Sequence, residues 1–167
     1  MRVNLKDEKS DIIQFMKRMF ETLNSLPQSI RQDGKMRTGI QVLVREPDTR
    51  NLIFFPIENP SEDAMFFSAE KAIRSHIMKD TSSENTSDPI RMRFAGSIGV
   101  YINEMYVQIS ISGMKAEEDV ALGVRGLAYI FNTTPKNICK NVKSNGGKLP
   151  ESFFQKDHYL NKFLGLN

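Results

Sequence analysis

Residues 94–131 restrict the fold more than any other part of the chain: FAGSIGVYINEMYVQISISGMKAEEDVALGVRGLAYIF. Two apolar runs, 98–102 and 105–111, are separated by Asn103-Glu104 alone. Two residues is the length of a tight hairpin turn, so the runs are expected to pair as antiparallel strands. Ser112-Gly113 ends the second run, and the acids Glu117, Glu118 and Asp119 follow. Acids suit the first turn of a helix, where unpaired N–H groups and the helix dipole favour negative charge. Val120, Val124, Leu127 and Phe131 recur at helical spacing, with Ala121 and Ala128 flanking them. One face of that helix is therefore apolar.

Upstream, Ile12, Ile13, Phe15, Met16, Met19, Phe20 and Leu23 mark one face of a helix over 7–25, which Pro27 ends. Residues 28–37 are polar, contain Gly34 and read as a loop. Alternation over 38–45 predicts a strand, 46–51 a turn built on Pro47, and 52–57 a second strand in which Pro56 marks either the end of pairing or an edge position. Ser61 followed by Glu62 and Asp63 is a helix start, and the helix is expected to run to Met78. Phe66, Ala69, Ile73 and Ile77 form its apolar stripe, with Met65, Ala72 and His76 beside it, so His76 falls at the margin of the expected buried face.

After a polar loop over 79–89, Ile90, Met92 and Phe94 alternate with Arg91 and Arg93, which predicts a further strand. Thr134-Pro135 starts a short helix that buries Ile138, Cys139 and Val142, and 144–147 (SNGG) stops it. The segment from Pro150 carries Phe153, Phe154, Leu160, Phe163 and Leu164, enough apolar surface to require cover.

The expected order is α-β-β-α-β-β-β-α followed by C-terminal helices. That is an α+β fold of profilin-like type, with a five-stranded antiparallel sheet and flanking helices. Residues 1–133 form the α+β domain. Residues 134–167 form a helical extension packed on that domain or on a partner subunit.

Composition removes several function classes. Twenty-three basic and 20 acidic residues leave a net charge of +3, too little to signal nucleic-acid binding. A lone cysteine excludes an intrachain disulfide and a multi-thiolate zinc site. Two histidines without paired spacing do not make a metal site. No signal-peptide core or membrane-length apolar run occurs, so a cytoplasmic setting is expected. There is no Ser/His/Asp order, phosphate loop or nucleophile elbow, so the expectation is a protein that is not an enzyme.

The run Ala95-Gly96-Ser97-Ile98, then Ile111-Ser112-Gly113, then Glu117-Glu118-Asp119, resembles the GlcG/HbpS-like family in motif and spacing. Ser68-Ala69-Glu70-Lys71-Ala72 is similar to that family's Ala-x-x-Lys-Ala helix. The resemblance covers residues 8–131. It implies a haem-binding or haem-degrading type of scaffold, homo-oligomers, and a small-molecule ligand such as haem or a related tetrapyrrole. The pocket is then expected between the second helix, over 66–77, and the sheet around Gly96 and Ser112, with Gly96, Ser97, Ser112 and Gly113 as ligand-binding residues. His76 is then the candidate axial ligand to haem iron. Ala95 and Ile98 stand where the family has Gly and Pro, and Val107 and Ser110 where it often has Gly. Those larger residues narrow the room beside the backbone. They favour, as the alternative, a structural or interaction module that keeps the scaffold without its ligand.

Overall fold

The computed structural model describes residues 5–31, 36–46, 51–102 and 105–167. The proposed turns at 47–50 and at Asn103-Glu104, and the loop position Gly34, lie outside the described residues.

The first helix, α1 (Lys9–Asn24), buries Ile12, Met16, Phe20 and Leu23, the i, i+4, i+8, i+11 face read from the sequence. A four-residue helix, α2 (Gln28–Arg31), replaces part of the expected 28–37 loop. Strands β1 (Gly39–Glu46) and β2 (Asn51–Glu58) pair antiparallel, with Val42 opposite Phe55. Helix α3 (Glu62–Met78) starts at Ser61, whose side chain accepts the Ala64 N–H. Strands β3 (Ser97–Ile102) and β4 (Met105–Ser112) form the central hairpin, with Val100 opposite Val107. Then follow α4 (Ala116–Ile130), α5 (Pro135–Ser144) capped by Thr134, and α6 (Tyr159–Leu164).

The sheet has four strands in the order β2-β1-β4-β3, not five. The missing strand is the run from Ile90 to Phe94. Pro89 opens a 3-10 turn over Pro89–Arg91, and Met92 takes a left-handed φ of 56°. Asp88 and Arg93 then exchange both backbone hydrogen bonds, closing a local loop. Those groups have no capacity left to join the sheet. Ile90, at 96% exposed, has no apolar face to enter.

The two faces of the sheet differ. One carries Ile40, Val42, Val44, Ile53, Phe55, Ile57, Ile98, Val100, Val107, Ile109 and Ile111, all buried under α1 and α4. Hydrophobic transfer drives this layer. Ile138, Cys139, Val142, Phe153, Leu160 and Leu164 of the last 34 residues join the same core through α4. The other face carries Gln41, Ser97, Gln108, Ser110 and Ser112, and α3 lies over it.

Candidate functional site

Helix α3 turns a small and polar face toward the sheet. Its buried residues are Ala64, Ser68, Lys71, Ala72, Arg74 and Ser75. The expected buried stripe points the other way: Phe66 is 66% exposed, Ile73 53% and Ile77 70%. The physical reason is the sheet face beneath it, which offers hydroxyls and amides instead of aliphatic side chains. The Ser110 hydroxyl donates to the Ser68 carbonyl at 2.6 Å. Gln108 Nε2 donates to the Ala72 carbonyl at 3.1 Å and to Ser97 Oγ at 3.0 Å. Burying polar groups is costly unless they are paired, and this face pairs several of them with a small-residue helix surface, while Gln108 Oε1 and Ser75 Oγ stay without a hydrogen-bond partner.

Lys71 reaches from α3 into the first turn of α4. Its Nζ donates to Asp119 Oδ2 at 3.0 Å and to the Ile111 carbonyl at 2.8 Å. The side chains are 1% and 2% exposed. Asp119 Oδ1 accepts the Met114 N–H at 3.0 Å, which holds the 113–115 turn onto the helix start. Burial pushes the Asp119 carboxyl up to about 6; Lys71 and the Met114 N–H pull against that shift. Gly96 leaves the space for this cluster. Its φ is 135°, and a Cβ there would meet the Ile111 carbonyl at 2.5 Å and Lys71 Nζ at 2.7 Å.

A cavity of ≈ 240 Å³ opens beside the pair. Ala64 and Phe67 of α3, Ser112-Gly113, Met114, Ala116 and Asp119 wall it, with Ser61, Asp63 and Arg37 also lining it. Gly113 has a φ of 132° and lies against the Gly39 carbonyl, so the chain needs glycine there to turn from β4 toward α4.

Next to it in α4, Glu118 is fully buried and takes a bidentate pair from Arg31, both bonds 2.8 Å. The Tyr159 hydroxyl donates to the same carboxylate at 3.1 Å, and Glu118 reaches back to the Lys115 N–H at 3.2 Å. The Lys115 ammonium donates to the Arg31 carbonyl. Of the acidic triplet, only Glu117 faces partly outward, where it accepts the Ser152 hydroxyl at 2.5 Å.

The residues singled out from the sequence divide accordingly. Ser112 and Gly113 line the cavity, and Gly96 backs it. Ser97 is buried and bonded, its N–H donating to Ser83 Oγ at 2.9 Å. His76 is exposed on the last turn of α3 and does not line the cavity. Cys139 is buried, and burial pushes its thiol up to about 11. Lys71 was missed as a site residue, although the sequence places it in a helix motif; its partner lies 48 residues away. Arg74 was also missed. It ties α3 to the following loop through the carbonyls of Ser83, Thr86 and Phe94.

A second, larger hollow of ≈ 530 Å³ runs along the outer flank of α3, between Phe66, Ile73, Ile77 and Met78 on one side and Thr86 and Arg93 on the other. Among the described residues no group of His, Cys, Asp and Glu could hold a metal ion. No helix among them is long and apolar enough to cross a membrane.

No family model matches the chain. No curated protein matches it either. Among solved structures, the crystal structure of the Klebsiella pneumoniae protein ORFY, of the DUF336 family, is similar in overall arrangement. Identity is 15%, the TM-score is 0.48, and the match covers 72% of this chain and 88% of that one.

Proposed function

We propose that this protein is a small-molecule-binding module on a GlcG/HbpS-type scaffold, with its ligand site in the cavity beside Lys71 and Asp119. One observation carries the reading: a fully buried Lys–Asp pair forms part of the wall of a cavity. A buried ion pair is a poor source of stability, because desolvating two charges offsets their attraction. A carboxyl shifted by burial, paired with a specific charge and set beside a cavity, is the mark of a candidate functional site.

The lining defines the ligand class. Lys71 and Arg37 bring positive charge, and Asp63 and Asp119 bring negative charge, so the lining offers partners to both ends of a polar ligand. Ser61 and Ser112 add hydroxyls. At ≈ 240 Å³ the cavity holds the equivalent of about eight waters. Drug-sized ligands occupy roughly 300–1,000 Å³. The fitting class is a short polar acid with a second polar group, such as a hydroxy, keto or amino acid. A tetrapyrrole would lie instead on the outer flank of α3, the helix that carries His76.

Amide chemical shifts test this directly. Short hydroxy, keto and amino acids are added to the labelled protein, and shifts are expected at Ser112, Gly113 and Met114. Ala116→Phe, which fills the cavity from the first turn of α4, should abolish them. Absence of shifts across the panel, or shifts unchanged in A116F, removes the reading. Haem forms a separate arm: a Soret shift retained in A116F and lost in His76→Ala would move the ligand to the outer face of α3.

A further inference from the structure

We propose that the hollow along the outer flank of α3 binds a medium-chain monocarboxylic acid, with its acyl chain along the helix and its carboxylate on Arg93. This inference does not depend on the cavity beside Lys71.

The shape comes from the way α3 is seated. Its small polar side is spent on the sheet, so its apolar stripe faces outward, and the loop that follows stands opposite that stripe. Thr86 and Arg93 face Phe66, Ile73, Ile77 and Met78 across ≈ 530 Å³. Concave, largely apolar hollows of roughly 300–1,000 Å³ with a few polar groups are the usual form of small-molecule sites. Ala69 keeps the stretch between Phe66 and Ile73 open. Phe66 and Ile77 stand eleven residues apart on one helix. At 1.5 Å per residue that is about 16 Å, a length that suits an extended chain. Met78 at the end of the stripe is a side chain that adapts to an apolar guest.

The charges in the wall select the head group. Glu70 is already engaged: Arg74 Nε donates to its Oε1 at 2.7 Å and Nη2 to its Oε2 at 3.2 Å. Arg74 is engaged in turn, donating also to the Ser83 carbonyl, the Thr86 hydroxyl and the Phe94 carbonyl. The pair is thus a neutral, fixed part of the wall. Asp88, in the same loop as Arg93, pairs with Arg91 at 3.5 Å. Among the described residues Arg93 has no acidic partner.

The backbone at Arg93 is nonetheless held from both sides. Its N–H donates to the Asp88 carbonyl at 2.9 Å and its carbonyl accepts the Asp88 N–H at 2.8 Å, while the next carbonyl, of Phe94, accepts Arg74 at 2.8 Å. A cation with unspent donors is therefore anchored at the rim of an apolar hollow. A guanidinium takes a carboxylate through two parallel N–H bonds. One such group suits one carboxylate, and the stripe takes the apolar chain behind it. A tetrapyrrole fits less well: the described lining holds no histidine for its iron, and a second carboxylate finds no free cation.

Isothermal titration calorimetry of the full chain with decanoate, kept below its micelle concentration, tests this. One decanoate is expected per chain. Decanol and decyltrimethylammonium should bind at least tenfold more weakly. Arg93→Ala should weaken decanoate at least tenfold and Arg93→Lys by less, with the circular dichroism melt in place, because the Arg93 side chain is exposed. Ala69→Trp, which fills the hollow, should abolish binding. Amide shifts on adding decanoate should fall at Ala69, Ile73, Ile77 and Thr86. No uptake of decanoate, equal affinity for decanol, an R93A protein that binds like wild type, shifts confined to 112–114, or a doubled mass in light scattering without uptake would each overturn the proposal.

Discussion

Lys71 and Asp119 lie 48 residues apart in the chain, yet their charged groups stand 3.0 Å apart with almost no exposure to water. The contact joins α3, the ends of β4 and the start of α4 at one point. Removing either partner strands a charge. Lys71→Met or Asp119→Leu should each cost about 3–5 kcal/mol, and the double change less than the sum. Urea denaturation of the three variants measures this.

Asp119 also has a pH signature. Its folded carboxyl is raised to about 6, above an ordinary value near 3.8. Between those values the folded state binds more protons than the unfolded chain. Its contribution to stability is therefore full below about 3.8 and is lost as pH rises through about 6. Asp119→Asn cannot titrate, so the difference in stability between wild type and D119N should change over that window. A difference flat with pH would contradict the shift.

Gly96 tolerates no side chain. Its φ of 135° suits glycine, and a Cβ would press on the Ile111 carbonyl, Lys71 Nζ and Asp119 Cβ, all within 3 Å. Gly96→Ala should destabilise the fold by about 3 kcal/mol or more. Its thermal unfolding midpoint reads the effect.

Glu118 is the second buried carboxylate, and Tyr159 is the smallest handle on it. Burial first, and Glu118 second, raise the Tyr159 phenol above its ordinary range. Tyr159→Phe removes one hydrogen bond to a charged acceptor and should cost about 1.5–3 kcal/mol. Phenolate absorbance should show Tyr159 among the last tyrosines to ionise, and its loss in Y159F identifies the signal.

Asn141 closes one edge of the sheet. Its side-chain oxygen accepts the Tyr101 N–H at 3.1 Å, and its amide donates to the Tyr101 carbonyl at 2.6 Å. The side chain imitates a neighbouring strand and leaves less of β3 free for another chain. Asn141→Ala should cost about 1 kcal/mol and speed hydrogen exchange at the Tyr101 amide. An unchanged exchange rate would mean that the contact does not protect the edge.

Much of this architecture is local and legible. The α1 face, the Ser61 and Thr134 caps and the pairing of residues 98–102 with 105–111 all follow from spacing and end chemistry within a few residues. The supposed strand at 90–94 fails for an equally local reason. Pro89 starts a tight turn, and the left-handed Met92 completes it. Alternation over five residues cannot distinguish that turn from a strand.

Helix α3 divides the local from the non-local most clearly. Periodicity sets its length, its cap and its apolar stripe, because these depend on neighbours three and four positions away. Which side faces inward depends on what lies beneath. Gln108 and Ser110 arrive from a strand some forty residues later, and they pair with the small polar side of the helix. Lys71 likewise becomes a buried ion only because chain closure brings Asp119 to it, with Gly96 making room. Backbone preference is written residue by residue, whereas burial and pairing belong to the packed chain, since desolvation is decided by every group that arrives at the same place.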